Sequence, residues 1–110
     1  MTLFDSMKKG TVELLVLSLL SESDMYGYQM VREILTRTDG KYVLKEGALY
    51  PVLYKLTDAN MVTCYTIHHG RRPRIYYHLE PSGLEHGKQI YNEYLDLTKA
   101  VRTITEGKFE

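Results

Sequence analysis

Residues 11–20 form a nearly unbroken apolar run, holding Leu14, Leu15, Val16, Leu17, Leu19 and Leu20 without Pro or Gly. The run predicts a central, mostly buried helix, although a buried strand has much the same pattern over so few residues. A polar break, Ser21-Glu22-Ser23-Asp24, follows. Ser23 or Asp24 supplies a side-chain oxygen able to cap the next helix. Over residues 25–36, Tyr28, Val31, Ile34 and Leu35 recur at helical spacing, with Gln29, Arg32 and Glu33 on the wet side. Gly27 within such a helix costs roughly 1 kcal/mol relative to alanine, which implies a neighbouring element packed closely on it. Asp39-Gly40 is a turn signal, and Tyr42-Val43-Leu44 a short extended connection.

The third helix has a better-marked start. Proline lacks an N–H and clashes with the carbonyl four residues back, so Pro51 belongs in or just beyond a first turn. The helix therefore begins near Gly47 or Ala48 and runs to about Ala59. Leu49, Val52, Leu53 and Leu56 share its core face, which leaves Gly47, Tyr50, Pro51 and Tyr54 on the other. Two tyrosines turned from a core call for a surface role. Residues 62–68 and 74–79 are then rich in Thr, Tyr, Val and Ile and alternate in character, so they predict a β-hairpin. Ile75, Tyr77 and Leu79 share one face; Arg74, Tyr76 and His78 take the other. The connection, residues 69–73, carries Arg71 and Arg72 at its tip. After Pro81 no further proline occurs before Gly107, and Ile90, Tyr94, Leu97, Val101 and Ile104 follow at spacings of four and three. That is the seam of a helix packed on a partner. About 24 residues make a rod about 36 Å long, more than the rest of the chain can cover. It predicts a dimerisation arm, the alternative being an intramolecular core helix.

Composition narrows the chemistry. The 110 residues suit one domain rather than two. Lys+Arg and Asp+Glu each number 14, so any electrostatic message is local. Residues 1–79 hold 10 basic against 8 acidic side chains, and residues 80–110 hold 4 against 6. Cys64 is the single cysteine, which excludes an internal disulfide or a CxxC site and suits a reducing cytoplasm. The N-terminal apolar stretch is too short to span a bilayer. His68 and His69 are adjacent and point to opposite strand faces; with His78 and Cys64 they form no matching ligand set. No nucleophile triad, phosphate loop or carboxylate pair is visible, so neither metal, cofactor nor catalysis is expected.

Three helices, a two-stranded ribbon and a last long helix give a mainly α fold with a small β-hairpin. This is the order of a winged helix-turn-helix over residues 1–80, with a C-terminal dimerisation helix and tail over residues 81–110. In that architecture the helix before the hairpin enters the major groove and the hairpin tip reaches the backbone or minor groove. The candidate DNA-binding residues follow from it. Tyr50 can donate its hydroxyl to a phosphate, and the small Gly47 and Ala48 let the helix N-terminus approach one. Tyr54 and Lys55 lie a turn further on. Arg71, Arg72 and Arg74 supply charge at the hairpin, and Lys9, expected just before the first helix, adds a backbone contact. A dimer would address an inverted repeat in double-stranded DNA. The competing reading is a protein-interaction module that uses a winged helix without DNA readout.

The chain also resembles the PadR family of transcriptional regulators. The likeness rests on Lys9-Gly10-Thr11 with residues 13–17, on Tyr26-Gly27-Tyr28, on residues 47–56, on residues 70–74, and on Tyr76-Tyr77-His78-Leu79. It implies a homodimeric winged-helix DNA binder, usually a repressor, sometimes released by a small phenolic or drug-like molecule. The short segment after the hairpin looks like the compact subfamily with one dimerisation helix, Ile90, Tyr94, Leu97, Val101 and Ile104 forming its seam. An effector pocket between the first helix and a partner's last helix would be lined by Phe4, Met7, Tyr91 and Tyr94, which serve equally well as interface packing. The chain has no Trp, so a tryptophan sandwich for flat cations is not expected. Glu80 stands where the family commonly has Thr, a weaker helix cap.

Overall fold

The computed structural model describes residues 2–110. The elements run α1 (Leu3–Leu20), β1 (Met25–Tyr26), α2 (Gly27–Arg37), α3 (Glu46–Asp58), β2 (Val62–His69), β3 (Arg72–Leu79) and α4 (Pro81–Thr105). Helix α1 starts well before the apolar run because Thr2 caps it. Thr2 Oγ1 accepts from the Asp5 N–H at 3.1 Å, and the Asp5 carboxylate accepts from the Thr2 N–H at 3.4 Å. Lys9 consequently lies within α1 rather than before it. The core joins the helices to the sheet: Val16, Met30, Leu49, Leu53, Leu56 and Val62, from four elements, are almost completely enclosed. Each such side chain contributes about 2 kcal/mol through removal from water.

Three local expectations change. Residues 25–26 are a strand, not helix, and pair with β3 through Met25 and Tyr77 and through Tyr26 and Tyr76. Starting α2 at Gly27 turns Gly27, Met30 and Ile34 inward and leaves Tyr28 and Leu35 exposed, although both were expected on the core face. Asp24 caps no helix. Its two oxygens instead meet the Tyr65 hydroxyl at 2.7 Å and His78 Nδ1 at 2.8 Å, tying the α1–β1 link to the hairpin.

The sheet is antiparallel in the order β1-β3-β2. Strands β2 and β3 run further than expected, to His69 and from Arg72, so the turn is only Gly70-Arg71. Gly70 has φ +63°, a left-handed conformation that glycine adopts without strain and that two-residue hairpins favour. Pro73 is tolerated inside β3 because the two-residue β1 does not reach it. His78 faces Thr63 across the ribbon and His68 faces Pro73, so these two histidines are not partners. Among the described residues no three His, Cys, Asp or Glu side chains group as a metal site.

Helix α4 begins with Pro81 at its first position, and Glu80 makes no side-chain cap; its carboxylate accepts from Thr63 Oγ1 at 2.9 Å instead. Gly83 presses on the Met61 carbonyl and Gly87 on Leu17. His86 meets Glu13 on α1, and Ile90 packs on the core. Beyond Ile90 the helix leaves the core, with Leu97 61%, Val101 54% and Ile104 74% exposed. One stripe thus packs within the chain over its first half and stands bare over its second. No helix among the described residues is long and apolar enough to cross a membrane.

Candidate nucleic-acid interface

The start of α2, the middle of α3 and the free edge of β3 converge on a hollow of about 240 Å³ lined by Tyr26, Gly27, Tyr28, Tyr50, Pro73, Arg74, Ile75 and Tyr77. Its geometry follows from the short β1. Pairing with β1 stops at Tyr26 and Tyr76, so from Pro73 to Ile75 β3 is paired on one side by β2 and its other edge is open. At the same point the chain turns into α2, whose cap residue Tyr26 makes no side-chain cap. The first N–H groups of α2 are left without a side-chain acceptor, at the positive end of the helix.

Tyr50 fills the floor of this hollow. A Cβ on Gly27 would lie 2.7 Å from the Tyr50 hydroxyl, so the glycine is what lets the phenol reach α2. Tyr50 is partly buried and packs on the core rather than standing clear of it as the helix pattern suggested, with its hydroxyl against Gly27. Burial first, then the charges of Glu46 and Tyr54, raise its pKa above the ordinary phenol value, so it stays a proton donor at neutral pH. Tyr54 extends the surface, its ring 6.1 Å from that of Tyr50 and the residue 61% exposed. Gly47 and Ala48 are exposed at the start of α3, where Lys45 provides no side-chain cap.

On the hairpin, Arg74 turns to the outer face. Its guanidinium sits 4.6 Å from the Tyr26 ring centroid, and the aromatic row continues through Tyr76, 5.4 Å from Tyr26, to Tyr65, stacked 5.7 Å beyond. Cation–π contact holds Arg74 extended over the hollow's edge. Arg71 in the turn and Arg72 at the first position of β3 are exposed and continue this edge outward.

The structure therefore brings Tyr50, Tyr54 and Arg74 together, with Arg71 and Arg72 further along the same strand. Two expected members lie elsewhere. Lys55 Nζ is 3.0 Å from Glu13 Oε1 on α1, and Lys9 lies on the exposed side of α1. Tyr28, half exposed and 6.0 Å from the Arg32 guanidinium, was assigned to the core by its spacing and belongs to the hollow instead. The signal for it was Tyr26-Gly27-Tyr28 itself: a glycine between two tyrosines ahead of a helix is poor core material.

Residues 16–89 match the transcriptional regulator PadR-like family. The chain belongs to that family. PadR-like proteins are DNA-binding transcriptional regulators, and this chain carries their winged helix-turn-helix fold. A transcriptional regulator from Clostridium thermocellum superposes with a TM-score of 0.86 at 31% identity, over 92% of this chain and 99% of that one. A PadR family transcriptional regulator from Eggerthella lenta gives 0.80 at 26% identity, over 94% and 88%. A protein from Lysinibacillus sphaericus is 27% identical over 101 residues, 90% of this chain and 92% of its own.

The remaining PadR-type expectations concern α1 and α4. Met7 and Tyr94 line a groove of about 350 Å³ between these helices, with Leu14, Ile90 and Leu97. Tyr94 also reaches the neighbouring groove on the other side of α1, which Tyr91 lines with Leu15 and Tyr42. Phe4 lies apart from both, packed edge-on to Tyr42 at 5.6 Å. The four side chains do not enclose one pocket within a single chain.

Proposed function

We propose that the protein is a homodimeric repressor that binds an inverted repeat in double-stranded DNA in the cytoplasm. Residues 1–80 read the DNA and residues 81–110 join the two chains. The observation that carries this reading is the hollow at the α2, α3 and β3 junction. It gathers the start of α2, Tyr50 and Arg74 around one hollow of about 240 Å³, large enough to admit a phosphate group, with Arg71 and Arg72 further along the hairpin. A backbone phosphate seated there receives N–H groups from α2 and charge from Arg74. That seat places the exposed face of α3, with Gly47 and Tyr54, toward the major groove. The arginine-bearing turn then follows the backbone or the adjacent minor groove. Relief of repression by a small aromatic or phenolic molecule fits the α1–α4 grooves, where Met7, Tyr91 and Tyr94 give an apolar, aromatic lining.

The test is the double substitution Arg71→Ala with Arg72→Ala, read against DNA selected from a random library by the purified wild type. Loss of two phosphate contacts lowers the magnitude of the slope of log affinity against log salt by about 2. An unchanged slope and affinity would remove the hairpin tip from the interface, and a wild type that selects no DNA would remove the reading itself.

A further inference from the structure

Helices α3 and α4 both pack on α1, and a single α1 side chain bonds to both. Glu13 Oε1 is 3.0 Å from Lys55 Nζ on α3, and Glu13 Oε2 is 2.7 Å from His86 Nε2 on α4. The carboxylate is mostly enclosed, its side chain 19% exposed; His86 is 26% exposed, and Lys55 reaches in from solvent with its side chain 73% exposed. It faces the α1–α4 groove along with Gly10, Leu14 and Ile90. An ion pair whose shared partner is sheltered from water holds its geometry better than one between two exposed chains. The two bonded positions also differ in function. Lys55 sits on the helix assigned to the major groove, and His86 lies one turn before Ile90, where α4 leaves the core to become the arm.

We infer that Glu13 is a positioning residue for DNA recognition. By holding Lys55 with one oxygen and His86 with the other, it fixes the angle between the recognition helix and the dimerisation arm. The dimer then accepts one spacing of half-sites. This rests on the DNA-binding homodimer proposed above. In a two-fold dimer an error in that angle doubles, because both recognition helices turn relative to a shared axis. Contacts within each half-site are untouched by such an error. Only the registration of the two halves on successive grooves suffers, about 34 Å apart along the duplex. Lys55 in this view serves α1 rather than a phosphate, which accounts for its absence from the hollow.

The experiment measures the affinity of the full-length protein for inverted repeats whose spacer varies by single base pairs, and for one isolated half-site. Sedimentation is run on the same samples. Wild type favours one spacer. Glu13→Gln and His86→Leu each lower that preference by about five-fold, with half-site affinity and dimerisation unchanged. His86→Gln keeps an N–H donor toward Glu13 and retains the preference. Should Glu13→Gln fail to fold, His86→Leu against His86→Gln carries the comparison from the partly buried α4 side of the pair. The inference is overturned if the variants keep the wild-type spacer preference, or if any loss is matched by equal loss on the single half-site or by dissociation. It is also overturned if wild type binds every spacer equally. A wild type that binds no inverted repeat at all sinks the DNA reading rather than Glu13.

Discussion

Gly27 and Gly83 both lie under a neighbour, yet the neighbours differ in what they can yield. A Cβ on Gly83 meets the Met61 carbonyl, and the Leu79 side chain blocks the other side. That carbonyl also accepts the Glu80 N–H at 3.0 Å, so it is fixed between β2 and α4 and cannot withdraw. Gly83→Ala should therefore cost about 2–3 kcal/mol as an overpacking change, seen as a fall of about 10 °C in the thermal midpoint. At Gly27 the obstacle is the far end of a phenol, which swings aside. Gly27→Ala should change the midpoint by a few degrees at most while displacing Tyr50 from the hollow. Its signature is weakened DNA binding by a protein of near-normal stability. A large loss of stability in Gly27→Ala, or none in Gly83→Ala, would contradict this assignment. The sequence announced one of the two. Gly27 stood out because a glycine among helical positions needs a reason; Gly83 did not, because a glycine in a helix's first turn is unremarkable until the strand end beneath it is known.

The hairpin shows the same division among elements. Its strands were legible from alternation, and α3 from its proline and leucines. β1 was not, because two residues carry no period, and its presence depends on β3 arriving 50 residues later. The start of α1 lay hidden behind Lys8 and Lys9, since capping by Thr2 and Asp5 sets it rather than any apolar pattern. Asp24 read as a helix cap because its partners, Tyr65 and His78, are 41 and 54 residues away. Those partners make a pH-dependent clip on the wing. His78 has its pKa raised from 6.5, first by the hydrogen bond and then by the charge of Asp24, with Glu80 Oε2 at 3.8 Å adding to it. A raised histidine pKa stabilises the clip fully below 6.5, and the contribution is lost as pH rises through the folded value. Asp24 has its pKa lowered from 3.8, chiefly by Tyr65 and also by His78, so its part is lost only as pH falls through that depressed value. The clip is therefore strongest in mildly acidic solution. NMR titration should place the His78 midpoint above 6.5, and Asp24→Asn should return it toward 6.5. A His78 that titrates as a free histidine in the wild type would show the clip carries no charge.

For the whole molecule, the decisive feature is that α4 changes role along its length. The longest dimension is 56 Å against 29 and 22 Å for the others, and the bare half of α4, Leu97, Val101 and Ile104, continues the stripe that Gly87 and Ile90 turn toward α1. A periodic seam could be read from the sequence, but not the point where its cover within the chain ends, because that depends on how far α1 reaches beside it. An apolar strip left open after the intramolecular part ends suits a second copy of the same helix, since its two-fold mate presents the same strip. Leu97→Glu places a carboxylate in the middle of that contact, where it would have to be desolvated without a cation. Sedimentation should show monomers, and binding to an inverted repeat should drop to the level of a single half-site. Lys99→Glu introduces the same group on the opposite side of α4 by helical geometry and should leave the dimer intact. If both variants remain dimeric, the chains meet elsewhere and the half-site geometry would have to be set by a different surface; if both dissociate, charge on the arm rather than its apolar strip governs assembly.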